Sequence, residues 1–146
     1  MQLRISMIVP APAEKVYEYV TSYGQDGPVD DEQFRRRYSE DVRPDDGGYV
    51  YTEDIRLYPD DPEDLITWRC VFDYPNRRVM AALDSDWSDR QDDFEPLGDD
   101  ARWTVAWSMH GSLVQRLTRF LYFKLRRSKV IRREILDPVV SHFKAR

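Results

Sequence analysis

The chain has 146 residues, 13% aromatic and 34% charged, which suits one soluble domain over residues 1–146 with a substantial core. No run approaches the roughly 20 apolar residues a membrane span needs, no basic-then-apolar leader opens the chain, and the lone cysteine, Cys70, excludes an internal disulfide; a cytoplasmic location is the expectation. The net charge of −5 hides a division, because residues 1–100 carry −14 and residues 101–146 carry +9.

Leu3, Ile5, Met7 and Val9 alternate with Gln2, Arg4, Ser6 and Ile8, the period of a strand. Pro10 ends it. Pro12 suits the first turn of a helix, where its missing N–H is no loss. Val16, Tyr17 and Val20 then fall at helical spacing, and the predicted helix covers about 12–22. Residues 24–31 are turn chemistry, and Asp30 can cap a short helix at about 31–38. Asp45-Asp46-Gly47-Gly48 makes another turn.

Strand-like segments follow. Tyr49, Tyr51, Glu53, Ile55 and Leu57 share a face. Pro59 to Pro62 breaks the chain. Ile66, Trp68, Cys70, Phe72 and Tyr74 share a face opposite Thr67, Arg69, Val71 and Asp73. Pro75-Asn76 turns. Val79, Ala81, Leu83, Ser85 and Trp87 alternate with Met80, Ala82, Asp84 and Asp86, and the Trp87 face is assigned inward. A short strand covers about 88–95. Gly98-Asp99-Asp100 turns, and Trp103, Val105, Trp107 and Met109 form the clearest alternation in the chain. Strands spaced by short turns predict an antiparallel meander with one face buried.

Gly111 punctuates, and Ser112 with Gln115 fits a capping box. Leu113, Leu117, Phe120, Leu121, Leu125, Ile131 and Ile135 recur at intervals of three or four, with longer gaps in places. A helix over residues 113–136 would run roughly 36 Å, long enough to cross a sheet. Asp137-Pro138 should kink or break it, leaving a last turn or two with Val139, Val140 and Phe143. A sheet entered by one helix and closed by a long one makes a cup.

This order resembles the START-like (SRPBCC) superfamily, which includes polyketide cyclase/dehydratase-like proteins. Val9-Pro10-Ala11-Pro12-Ala13-Glu14-Lys15-Val16-Tyr17 resembles the family's first strand passing into its first helix. Asp73-Tyr74-Pro75-Asn76-Arg77-Arg78-Val79 resembles its proline-containing turn between middle strands, and Gly98 to Val105 its turn into the last strand. Residues 111–146 match the closing helix in place and character. The resemblance implies an α+β helix-grip fold: a curved antiparallel sheet wrapped around a long C-terminal helix, with a cavity between them. It also implies a hydrophobic small molecule, lipid or polyketide-like, as ligand. It carries over no shared catalytic residue. Residues 24–48 depart from the pattern, being long, acidic and rich in Gly and Pro.

Tyr51, Trp68, Phe72, Trp87, Trp103 and Trp107 sit on the faces assigned inward, where aromatics serve equally as core and as pocket wall. Leu117 adds a wall from the helix. Glu53 is in phase with Tyr49, Tyr51 and Ile55, so an inward carboxylate would meet the ligand's polar group or move a proton; pairing with an arginine at the rim is the plain alternative. His110 falls out of phase with Trp103 to Met109 and should face solvent, and His142 is remote from it in sequence. No spacing fits a metal site, a nucleophilic triad or a phosphate loop, so neither metal nor cofactor is expected. Cys70 reads as a small core residue.

The basic closing helix, with Arg116, Arg119, Lys124, Arg126, Arg127, Lys129, Arg132 and Arg133, either complements the acidic sheet or lies on an anionic surface. Phe120-Leu121-Tyr122-Phe123 is apolar for more than a turn, so part of it must point away from any one sheet. Nucleic acid is excluded by the acidity of the rest. The leading expectation is a non-catalytic binding protein, monomer or homodimer, with its ligand between sheet and helix. The alternatives are a polyketide cyclase- or aromatase-like enzyme using the same cup, and a protein- or membrane-surface contact through the helix.

Overall fold

The computed structural model describes residues 2–21, 43–45, 48–54, 60–83 and 88–145. The expected helix at 31–38, Trp87 and most of the acidic 24–48 stretch lie outside them.

Strand β1 (Gln2–Val9) leads into helix α1 (Ala13–Thr21). Six strands follow: β2 (Arg43–Asp45), β3 (Gly48–Asp54), β4 (Leu65–Asp73), β5 (Arg77–Ala82), β6 (Ser88–Leu97) and β7 (Asp100–Met109). All seven form one curved antiparallel sheet in the order β1-β7-β6-β5-β4-β3-β2. The meander runs from β2 to β7, and β1 closes onto β7 with Ile5 opposite Val105 and Met7 opposite Trp103. The β6–β7 hairpin turns on Gly98 and Asp99, with Leu97 opposite Asp100. Gly98 takes φ +61, as the first central residue of a two-residue type II′ turn requires.

Alternation decides which side of the sheet is buried. On β7, Ala101, Trp103, Val105, Trp107 and Met109 point to the concave side and are buried. The registers place Ile5 and Val9 of β1, Asp92 and Phe94 of β6, Met80 of β5 and Cys70 of β4 on that same side. Helix α1 buries Ala13, Val16, Tyr17 and Val20, one helical face, against it. Its first turn starts at the Pro12 carbonyl, which accepts from Lys15 N–H at 3.0 Å and Val16 N–H at 3.1 Å.

One expectation fails here. The Val79-Ala81-Leu83 face of β5 points outward, and Val79 and Leu83 are exposed, while Arg78 and Met80 are buried. Hydropathy alone favours the opposite phase. The reason is that Arg78 finds a carboxylate inside, directly across the ladder at Asp92, which no apolar count registers.

The closing helix runs without a break from residue 113 to residue 144, as α2 (Leu113–Tyr122), a π turn (Phe123–Arg127), α3 (Ser128–Ile131), a second π turn (Arg132–Leu136) and α4 (Asp137–Lys144). Ser128 N–H bonds to Phe123 O, and Asp137 N–H to Arg132 O, each reaching five residues back. Of the kink or break expected at Pro138, the break does not occur, and the second wide turn stands just before the proline. Proline's ring clashes with the carbonyl four residues back in an α-helix, and the wide turn just before it opens that spacing. Phe123, Ile131, Ile135, Leu136, Val139 and Val140 form the buried side, packed with β1, β7 and α1, and Val130 is buried too.

The expected capping box is present: Gln115 N–H donates to Ser112 Oγ at 3.3 Å and Ser112 N–H to Gln115 Oε1 at 2.8 Å. Gly111, just before it, has φ +105, and a Cβ there would lie 2.5 Å from Gln115 Oε1. Gly111→Ala is expected to cost about 1–3 kcal/mol through backbone strain and loss of the cap, read as a lower urea midpoint with an unchanged denaturant slope.

Candidate functional site

The site is the concave face between β3 and β7. Its centre is charged. Asp92 has no exposed surface, and both its oxygens are filled. Oδ2 accepts from Arg78 Nε at 3.1 Å and from the Arg78 terminal nitrogen Nη2 at 2.9 Å. Oδ1 accepts from Arg90 Nη2 at 2.9 Å and Trp103 Nε1 at 3.0 Å. Arg78 also donates through Nη1 to the carbonyl of Val20, in the last turn of α1, at 3.3 Å. A cation there suits the negative end of the helix dipole. The Arg90 guanidinium stands 5.7 Å from the Trp107 ring centroid, within cation–π range.

Burial alone would raise the Asp92 pKa. The charges of Arg78 and Arg90, with the hydrogen bonds from Arg90 and Trp103, outweigh it and hold the carboxyl below the ordinary carboxylate range.

On one side of this cluster lies the main core. Trp103, expected as a pocket wall, has no exposed surface and stacks on Phe94 at 6.2 Å with the rings 6° from parallel. Trp107 is buried and meets Phe123 of the closing helix at 6.2 Å. On the other side is a second apolar cluster of Ile66, Trp68, Cys70 and Met80, with Phe72 and Ala82 half-buried against it. Among the described residues, no side chain of the closing helix belongs to this second cluster.

Glu53 points inward as its phase predicts and is buried, and its Oε2 accepts from Trp68 Nε1 at 2.8 Å. Tyr51 lies opposite Trp68 in the β3–β4 ladder. Phe72 is edge-on to Tyr49 at 5.8 Å. Leu117 is 47% exposed: the helix turns Phe123, rather than Leu117, toward Trp107. His110 is exposed and bonded to Asp89 at 2.8 Å, and His142 stacks on Tyr19 at 3.9 Å, far from the site. Trp68, Glu53, Phe72 and Trp107 thus share one concave surface, with Arg90 and Asp92 between the walls. Sequence reasoning missed Arg78, Arg90 and Asp92. The signal available was that Arg90 and Asp92 share the parity of Phe94, an inward apolar residue on a strand otherwise rich in charge.

The chain matches no protein-family model and no curated protein. Solved structures do match. A START superfamily protein from Mycobacterium smegmatis superposes over 93% of this chain and 97% of its own, at a TM-score of 0.62 and 13% identity. The fold is START-like. The solution structure of KanY covers 99% of this chain and 97% of its own, at a TM-score of 0.70 and 15% identity. XoxI from Bacillus cereus covers 97% and 94%, at 0.65 and 13%. At such identities the likeness is one of START-like architecture alone.

A carboxyl with a lower pKa folded than unfolded contributes stability that is fully present above its unfolded pKa and is lost as pH falls through its folded pKa. Stability should therefore hold down to about pH 5 and decline on acidification below about pH 4. Asp92→Asn strands two guanidiniums in the interior. It is expected to cost about 3–5 kcal/mol at neutral pH and to give a shallower acid limb, measured by urea unfolding at a series of pH values.

Proposed function

We propose that this protein binds a hydrophobic or amphipathic small molecule, lipid- or polyketide-like, between the concave face of the sheet and the closing helix. The observation that carries this reading is the division of the concave face into two apolar clusters, with the described residues of the closing helix packed on only one of them. Trp68, Phe72 and Trp107 supply the apolar walls. Glu53, held by Trp68, orients a polar group of the ligand. Small-molecule sites combine these same elements, a mostly apolar lining and a few placed polar groups. Each ~100 Å² of apolar ligand surface removed from water adds about 2.5 kcal/mol. The START-like fold supports the reading in outline, with a curved sheet facing a long closing helix.

Glu53 also favours a second reading, a cyclase- or aromatase-like reaction in the same cup. A buried carboxylate on an apolar wall is suited to move a proton on a substrate held in a folded shape.

Native mass spectrometry of the freshly purified protein, followed by solvent extraction, tests the binding reading. A discrete added mass of apolar chemistry is expected. Trp107→Ala should weaken binding of oleate, used as a probe, by about tenfold or more, while Glu53→Gln changes it by less than about threefold. A circular-dichroism spectrum and urea midpoint establish that each variant is folded. No bound mass together with no oleate binding would sink the proposal. Loss of turnover with binding retained in Glu53→Gln would select the enzymatic reading.

A further inference from the structure

The first half of the closing helix carries an apolar line that the fold leaves outside. Leu113, Val114, Leu117, Leu121 and Leu125 are all exposed, Val114 by 74% and Leu125 by 70%, and no residue of α2 is buried. These side chains recur every three or four residues, so they form one continuous stripe along about 13 residues, close to 18 Å of helix. Phe123, which faces the sheet, lies on another side.

The charge around the stripe is of one sign. Residues 112–133 hold eight arginines and lysines and no acidic residue. Complementing the acidic sheet would bring these cations into ion pairs. Among the described residues, Arg116, Lys124, Arg126 and Lys129 form no ion pair. Lys124, Arg126 and Lys129 are exposed. The rest of the chain is strongly acidic, so an anionic surface would attract the helix and repel the remainder, which fixes an orientation.

We infer that this helix face docks on an anionic lipid bilayer, with Val114, Leu117, Leu121 and Leu125 entering the headgroup boundary and Lys124, Arg126 and Lys129 meeting lipid phosphates and carboxylates. The composition is that of an interfacial helix: an aliphatic stripe beside a basic face, too short and too charged to span. Among the described residues no helix is long and apolar enough to cross a membrane, so the contact is peripheral. It uses the outward side of the helix and does not depend on the ligand reading.

The test is flotation of the full chain with phosphatidylcholine vesicles, with and without phosphatidylserine. Co-flotation with the phosphatidylserine vesicles is expected, with little on phosphatidylcholine alone and release on raising the salt. Val114→Gln with Leu125→Gln, a double substitution on exposed positions, should weaken vesicle binding by about tenfold or more. Lys124→Glu with Arg126→Glu should abolish the preference for phosphatidylserine. Both variants should keep the wild-type urea midpoint. Equal flotation on the two vesicle types, no flotation, or undiminished binding of the glutamine variant would overturn the inference. So would a dimer in sedimentation that the glutamine variant dissociates, which would assign the stripe to a second copy of the chain.

Discussion

Asp92 holds two guanidiniums and an indole in a place that water does not reach. Its four hydrogen bonds come from three strands, and Arg78 extends the network to the end of α1 through the Val20 carbonyl. A buried charge of this kind costs several kcal/mol of desolvation, which only well-placed partners offset. Its geometry therefore admits little freedom. The β5–β6 register must put Arg78 opposite Asp92, and α1 must stop where Arg78 can reach it. The planar fork of arginine is suited to this double duty, and a lysine, a compact point charge with no fork, would not reproduce it. The concave face, with its two apolar clusters, is laid out around that point.

Much of the architecture is legible in residue periodicity. Leu3 to Val9 and Ile66 to Phe72 alternate cleanly because each strand has one wet face, Trp103 to Met109 does so except at Ala106, which is buried on the other face, and the capping box at Ser112 and Gln115 marks the helix start. What periodicity misreads, it misreads for a physical reason. On β5 the buried Arg78 and the exposed Val79 invert the hydropathy rule, since the reward for burying Arg78 sits on the next strand. On β6, Arg90 and Asp92 look like surface charges until their partners are known. The closing helix offers apolar residues on more than one side, and which side meets the sheet depends on backbone turns wider than the 3.6-residue period assumed in reading it. In the site, the phase of Glu53 and Trp68 was readable, and the bond between them follows from that shared face. Trp103 could be placed inward but not assigned to Asp92, and Leu117 could not be seen to lie outside.

The charge division acquires a structural meaning in the same way. The acidic sheet satisfies its own arginines, Arg77 with Asp93 and Arg102 with Glu95 on the surface and Arg78 and Arg90 within. Exposed pairs such as the first two contribute little to stability. Their effect is on the field, because they leave Lys124, Arg126 and Lys129 of the closing helix as a separate positive region. The concave apolar face with its placed carboxylate belongs to the sheet, and the basic face with its aliphatic line belongs to the outward side of the helix packed on that sheet.

The two π turns have a geometric consequence. Each holds one residue more than an α turn would, and one residue corresponds to about 100° of rotation about a helix axis. The segment before Phe123 is thereby set at a fixed angle to the half anchored on α1 and β1. Closing Phe123–Arg127 to α geometry with its residue count unchanged would swing the leading segment round by about that angle. The leucine line would then address a different neighbour although none of its residues had changed. The orientation of the exposed face is thus set by the width of a backbone turn rather than by the chemistry of the side chains it displays.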